Sequence, residues 1–161
     1  MAVMQVAYEA EGWGVGELWV EDGTVVWHEL PWPRAGAAIR ADGAEGFTAE
    51  LVRRLQAYFA GEAVGFDDVP LDLEYETPFL ERCARALREI ARGDVVTYGE
   101  LAALAGAPGA ARAAGSFCAR NRLGLFVPCH RVVAADGLGS YGSYGVAYKR
   151  RLLELEGASL R

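Results

Sequence analysis

The apolar pattern of this chain changes period partway along, and no single regular element can satisfy both halves. The first stretch reads as short strands. "MQVAYEA", "GELWVED" and "GTVVWHEL" are rich in Val, Trp and Tyr and are separated by Gly or Asp-Gly. Asp22-Gly23 between two such runs predicts a hairpin. "PWPRAGAAIRADGAEG" reads as a loop. "FTAELVRRLQAYFAG" predicts a helix with Thr48 as its cap, Leu51, Leu55 and Phe59 on one face and Gly61 as its stop. "EAVGFDDVPLDLEYET" is acidic and aperiodic, and reads as a linker. The expected domains are 1–72, a small sheet with a helix, and 73–161, mostly helical.

From residue 77 the apolar positions recur every three or four residues. Thr77-Pro78 is a cap followed by Pro at the first helical position. Phe79, Cys83, Leu87 and Ile90 then line one face, which makes Cys83 a small core residue. Thr97 and Glu100 have capping-box spacing. "ELAALAG", the turn "APG" and "AARAAGSFCARN" give helix, tight turn, helix, the helix-turn-helix layout. The second of these helices carries Ala110, Ala111, Ala113, Ala114 and Gly115, with Arg112 as its one long side chain. A major-groove reader needs several polar groups for base edges. This helix suits close approach to another helix, or shape-based contact with a narrow groove. In the last helix, "VAYKRRLLELEG", Lys149, Leu153 and Glu156 share one side.

Charge divides along the same boundary. Residues 1–77 hold 4 arginines against 15 acidic side chains, a net −11, and residues 78–161 hold 11 arginines and 1 lysine against 7, a net +5. The basic part could meet a polyanion that the acidic part avoids. No run approaches the ~20 apolar residues of a membrane span. The first residues lack a basic-then-apolar leader, so a cytoplasmic location is expected. Three scattered cysteines and two histidines make neither a disulfide framework nor a metal clip, so no metal site is expected.

The octapeptide "FVPCHRVV" places Cys129 beside His130 and Arg131 in an apolar run. A free thiol, with pKa near ~8.5, needs a partner that favours the thiolate. In a regular strand, neighbours point to opposite faces. Cys129 and His130 therefore cooperate only if the chain bends, which Pro128 permits, or if a water bridges them. The imidazole in turn needs an acceptor to orient it, with Glu156 the first candidate and Asp136 the second. "AADGLGSYGSYG", the next segment, is a Gly-rich loop without the residues of a phosphate-binding loop.

"VPCHRVV" resembles the signature of the O6-alkylguanine–DNA alkyltransferases, the methylated-DNA–protein-cysteine methyltransferases. "TYGELAALAG", "AARAAG", Asn121 eight residues before the cysteine, and "KRRLLELEG" fall at that family's spacings, so the similarity covers about residues 78–157. The resemblance implies an α+β fold: a small antiparallel sheet with a helix, ribonuclease-H-like, then a helical domain with a winged-helix-like helix-turn-helix. It implies direct, single-turnover transfer of an alkyl group from O6-methylguanine in double-stranded DNA to Cys129 by a monomer without cofactor. His130 would activate Cys129 through a water, with Glu156 orienting the imidazole. Asn121 would knit the recognition helix to the active-site turn. Tyr98 and Ser143 would donate to the flipped purine, the Cys129 and Val132 carbonyls would receive its exocyclic amine, and Cys118 would line its pocket. Arg112 would enter the duplex from the minor groove, with Ala110, Ala111, Ala114, Gly115 and Arg120 also toward DNA. Arg131 reads as structural or phosphate-facing. The tyrosine of the loop, Tyr141, is displaced by one residue from the family pattern, and Tyr144 replaces a frequent Gly, which predicts a pocket lip that accepts methyl better than benzyl. Alkyltransferase-like lesion sensors are the alternative class, and they lack the cysteine.

Overall fold

A computed structural model of the chain describes residues 2–34 and 44–159, so most of the expected loop in "PWPRAGAAIRADGAEG" lies outside the described residues. The chain divides into two compact units, Met1–Asp72 and Leu73–Arg161. Both sheet and helix are present, which makes the fold α+β. Among the described residues, no helix is long and apolar enough to cross a membrane.

In the first unit, β1 (Met4–Ala10), β2 (Gly14–Glu21) and β3 (Thr24–Trp32) form an antiparallel sheet in that order. Asp22 and Gly23 both take positive φ, 50° and 74°, the conformation that lets a two-residue turn follow the twist of its strands. Leu18, Val20, Val25 and Leu30 are buried, and α1 (Gly46–Phe59) contributes Leu51, Val52, Leu55, Tyr58 and Phe59 to the same core. Thr48 does not cap α1. The cap position is Glu45, three residues before the expected one, and Thr48 is buried in the first turn of the helix. Nor is the acidic stretch wholly a linker. Residues 70–72 dock on β3, where the Val25 amide donates to the Pro70 carbonyl and the Asp72 amide to the Val25 carbonyl, each at 2.9 Å. Burial of Val25 and Val69 favours that docking, and composition alone does not signal it.

Gly14 opens β2 with φ +117°, and a Cβ there would stand 2.2 Å from the Trp32 carbonyl carbon. Gly14→Ala therefore meets both a disfavoured backbone and a clash with main chain. It should destabilise the protein by more than about 1 kcal/mol, read as a lower urea midpoint at unchanged slope.

The second unit begins with α2 (Pro78–Arg88), capped by Thr77, whose hydroxyl accepts from the Leu80 amide at 3.3 Å. Cys83, Ala84 and Leu87 are buried along it, and Ile90 lies beyond its end. Burial pushes the Cys83 thiol up to about 11, which leaves it a core residue rather than a nucleophile. β4 (Val96–Thr97) runs directly into α3 (Tyr98–Leu104), where Thr97 and Glu100 complete a capping box. Gly106, at φ +87°, ends that helix, and α4 (Ala111–Ala119) comes after the turn. The Arg82 Nε donates to the Ala105 carbonyl at 2.7 Å, fastening α2 to the end of α3. β5 (Val132–Val133) pairs with β4 in parallel, Val96 opposite Val132 and Thr97 opposite Val133. This short parallel pair sets Tyr98 beside the segment that carries Cys129. α5 (Val146–Leu155) closes the unit, and Arg92 donates to the Leu155 carbonyl at 3.1 Å.

Candidate active site

Pro128 ends the apolar run with φ −80° and ψ 67°, and Cys129–Arg131 then form one 3-10 turn. The turn is the bend that lets adjacent side chains serve one site. The Cys129 amide donates to the Val127 carbonyl at 2.8 Å and the Arg131 amide to the Pro128 carbonyl at 2.9 Å. Asn121 holds this turn from the end of α4. Its Nδ2 donates to the Val127 carbonyl at 2.8 Å and lies 3.1 Å from Cys129 Sγ, while its Oδ1 accepts from the Leu123 amide at 2.9 Å. The amide orientation is thus specified from both ends. Leu125, inside the same connection, takes φ +75°, a strained conformation that a non-glycine residue adopts only when its surroundings enforce it.

His130 is fully buried, with Nε2 2.8 Å from Glu156 Oε2. Glu156 also accepts from Arg131 Nε and from its terminal nitrogen, each at 2.9 Å, and Arg131 donates at 2.6 Å to the Ile90 carbonyl. Arg131 is therefore a structural residue rather than a phosphate-facing one. Asp136 is exposed in the loop, so Glu156 alone fills the orienting position. Burial by itself would raise the Glu156 carboxyl, but His130 and Arg131 hold it well below the usual carboxylate range. Burial lowers the His130 pKa despite Glu156. A neutral imidazole beside an ionised carboxylate donates from Nε2, which leaves the lone pair on Nδ1. That Nδ1 is buried and finds no hydrogen-bond partner among the described residues.

Burial pushes the Cys129 thiol up, and the Asn121 amide, the Lys149 charge, its own backbone and the Tyr141 hydroxyl pull it down. Lys149 is fully buried, and among the described residues no carboxylate pairs with it. Its Nζ donates to the Ser140 carbonyl at 3.1 Å and stands 5.6 Å from the centre of the Tyr98 ring. Burial lowers its pKa, and the nearby Cys129 and Cys118 raise it. Cys118, on α4, has its thiol pushed far up by burial and by Cys129. Lys149 was legible as sharing a helix side with Leu153 and Glu156. All three are buried, and a lysine in register with a core leucine was the available signal.

The Tyr98 hydroxyl packs so closely on Gly139 that a Cβ there would stand 2.8 Å from it. Burial raises the Tyr98 phenol. Tyr141 is buried, whereas Ser143 is exposed in a 3-10 turn, Gly142–Tyr144. Tyr144 is half-buried and packs against Tyr141 and Tyr148, with ring centres 5.9 and 5.1 Å away. Val132 is buried in β5, and its amide donates to the Cys129 carbonyl.

On α4, Ala111, Arg112, Ala113 and Ser116 are exposed, as is Arg120 at its end, and Ala110 is half-buried. Ala114 is fully buried with Phe117 in the core, so it leaves the set expected to face DNA. Helical spacing turns it inward, three residues before Phe117. Gly115 faces Tyr98, where a Cβ would meet its ring at 3.8 Å. Among the described residues, no group of three or more His, Cys, Asp or Glu could hold a metal ion.

Comparison with known proteins bears on this arrangement. The family model described as 6-O-methylguanine DNA methyltransferase, DNA binding domain, matches residues 78–158. The methylated-DNA–protein-cysteine methyltransferase of Methanopyrus kandleri is 49% identical over 117 residues, covering 71% of this chain and 86% of that protein. A crystal structure of a variant of the Mycobacterium tuberculosis O6-methylguanine methyltransferase aligns with TM-score 0.79 at 33% identity, covering 99% of this chain and 96% of that one. That of the M. tuberculosis OGT in complex with DNA aligns with TM-score 0.78 at 35% identity, covering 95% and 92%.

Proposed function

The chain belongs to the 6-O-methylguanine DNA methyltransferase family, and from that premise we propose that it repairs O6-alkylguanine in double-stranded DNA by moving the alkyl group irreversibly onto Cys129. It is a methylated-DNA–protein-cysteine methyltransferase. The observation that carries this reading is the setting of the thiol. Asn121 holds the sulfur, and the histidine after it lies in a buried chain to Glu156 and Arg131, with one ring nitrogen that no described residue bonds.

The chemistry derives from that setting. His130, held by Glu156, takes the thiol proton on Nδ1 through a water. The thiolate attacks the alkyl carbon opposite the purine. The sulfur–carbon bond forms as the carbon–O6 bond breaks, and the electron pair moves onto the guanine, which takes up the proton released by the thiol. Donors at the purine stabilise the charge that develops there, as in an oxyanion site. Tyr98 is one donor, and the resemblance adds Ser143. The Cys129 and Val132 carbonyls receive the exocyclic amine, and Cys118 forms part of the wall. A thioether has no leaving group that water can displace under these conditions, so each molecule acts once.

Inside a duplex the O6 edge of guanine is engaged in pairing and stacking, so a protein nucleophile needs the base turned out. The small exposed residues of α4 suit close approach in the minor groove by one monomer, with Ala110 and Ala111 against the backbone, Arg112 in the space of the expelled nucleotide and Arg120 near phosphate. Arg112→Ala should then slow repair in duplex DNA at least tenfold while changing the reaction with free O6-methylguanine base by less than twofold. An equal loss on both substrates rules out the finger. Tyr144 at the lip should make benzyl transfer slower than methyl transfer, and equal rates with the two lesions in the same duplex contradict that. The direct test of the whole reading is peptide mass spectrometry after mixing with an O6-methylguanine duplex. One added methyl on the peptide holding Cys129 is expected, and an unmodified thiol after prolonged incubation overturns it.

A further inference from the structure

We infer that Tyr75 and Arg122 are positioning residues of the active site, a cation–aromatic clamp that sets the exit of α4 and so keeps the Asn121 amide on the Cys129 sulfur. The inference rests on Cys129 being the alkyl acceptor. It starts from how α4 ends. After α1, α3 and α5 the chain turns at Gly61, Gly106 and Gly157, with φ of 97°, 87° and 76°. A glycine in that conformation fixes the direction in which a chain leaves a helix. α4 runs instead into Arg120, Asn121 and Arg122, with no glycine and no positive φ among them. Another device must fix its exit. Asn121, on which the cysteine turn depends, is the first residue past the cap.

The segment before α2 supplies that device. The Arg122 guanidinium carbon lies 4.8 Å from the centre of the Tyr75 ring. A terminal nitrogen of the same group donates to the Glu74 carbonyl at 3.1 Å. The Tyr75 ring also packs on Phe117, tilted by 59° with centres 5.5 Å apart. Phe117 is buried in α4 and precedes Asn121, whereas Arg122 follows it. One aromatic ring therefore touches the chain on both sides of Asn121. A guanidinium over an aromatic face is attracted by the ring's charge distribution, so the contact prefers one placement of the side chain. Arg122 cannot swing away without losing both the ring and the carbonyl, and the Asn121 main chain would move with it. The Asn121 side chain bonds the Leu123 amide, the Val127 carbonyl and the sulfur, all on the later side of the hinge. The clamp adds a tie to the segment before α2.

The clamp acts on the sulfur through Asn121. The groups that bear on the charge of the sulfur are the Asn121 amide, Lys149 of α5, Tyr141 of the loop, Cys118 of α4 and Tyr98 of α3, with His130, Glu156 and Arg131 adjoining. Substitution of Tyr75 or Arg122 leaves every one of them chemically intact.

The test is the rate at which iodoacetamide modifies Cys129 as a function of pH, read on the peptide that holds it. The proteins are wild type, Tyr75→Leu, Tyr75→Phe, Arg122→Ala, Asn121→Ala, the double variant Asn121→Ala with Arg122→Ala, and Arg82→Ala. Loss of the Asn121 donor should raise the midpoint by about one unit, a thiolate fraction about tenfold smaller at neutral pH. Arg122→Ala and Tyr75→Leu should each raise it by at least about half a unit, about threefold less thiolate. Tyr75→Leu removes no cation, so a shift shared by these two is not the loss of a nearby charge. Tyr75→Phe keeps the ring and should keep the wild-type midpoint. So should Arg82→Ala, which cuts the tie between α2 and α3 instead. The double variant should match Asn121→Ala alone, because the clamp then has no amide to position. An unmoved midpoint in Asn121→Ala, or in a folded Tyr75→Leu or Arg122→Ala, overturns the inference. So does a shift matched by Arg82→Ala, or a double variant in which the two shifts add. Either clamp variant decides the matter where the other fails to fold. Because iodoacetamide reads the thiol alone, that failure is distinct from failure of the repair reading, in which wild type reacts with iodoacetamide but takes no methyl from the lesion.

Discussion

Cys129→Ser should remain folded and lose all detectable transfer from an O6-methylguanine duplex, even at stoichiometric excess. The substitution keeps a small side chain that Asn121 can still hydrogen-bond, so the turn and its anchors persist. What it removes is an ionisable nucleophile. An ordinary cysteine titrates near ~8.5. A hydroxyl, by comparison with water at about 15.7, holds some seven orders of magnitude less anion at neutral pH. Asn121, Lys149 and Tyr141 offset only part of the burial penalty on the thiol, and no such set could bridge that gap for serine. Peptide mass spectrometry with matched circular dichroism checks both halves of the expectation. A methyl found on Cys118 or Cys83 in this variant, or a folded variant that still repairs, removes Cys129 from the centre of the reaction. Burial raises all three thiols, and what sets Cys129 apart from Cys118 and Cys83 is the Asn121 amide that pulls its thiol down.

How far the sequence speaks for this site depends on the kind of signal each residue carries. Local rules were readable where a short stretch decides its own conformation. Asp22-Gly23 makes its turn, Thr77-Pro78 starts α2, and Thr97 with Glu100 builds a complete capping box. Long-range partners were not. β4 and β5 are two residues each, too short for any period, yet their parallel pairing sets Tyr98 beside the cysteine turn. Thr48 looked like a cap because its residue type favours one, but packing against the sheet draws it into the helix. Ala114 is chemically the same as Ala111 and Ala113, and only its place three residues before Phe117 turns it into the core. The alternation rule separated Cys129 from His130, and Pro128 overrides it by ending the run in a 3-10 turn. Arg131 was visible as part of the octapeptide, but its grip on Ile90 and Glu156 spans 41 and 25 residues, beyond the reach of a local pattern.

That grip underlies the largest expected loss of stability. Glu156 accepts from His130 and twice from Arg131, and its side chain is fully shielded from solvent, with that of Arg131 only 13% exposed. Glu156→Gln replaces an ionised acceptor by an amide that presents hydrogens to three donors. The guanidinium is left without a counter-charge and the imidazole without a specified tautomer. Breaking a buried pair in this way costs about 3–5 kcal/mol, against a total of about 5–15 kcal/mol for a folded protein. Transfer should fall as well, because His130 no longer keeps its lone pair on Nδ1. The sign of the pH dependence comes from the direction of the shift. The folded carboxyl is held below its unfolded value, so its contribution is present above about 4.3 and is lost as pH falls through the folded value. Urea unfolding should therefore show the full gap between wild type and Glu156→Gln at neutral pH, and a smaller gap at pH about 3. A variant as stable as wild type at neutral pH, or a gap that widens in acid, shows that the ion pair does not hold this turn. Retained transfer in a folded Glu156→Gln protein likewise separates the imidazole from the chemistry.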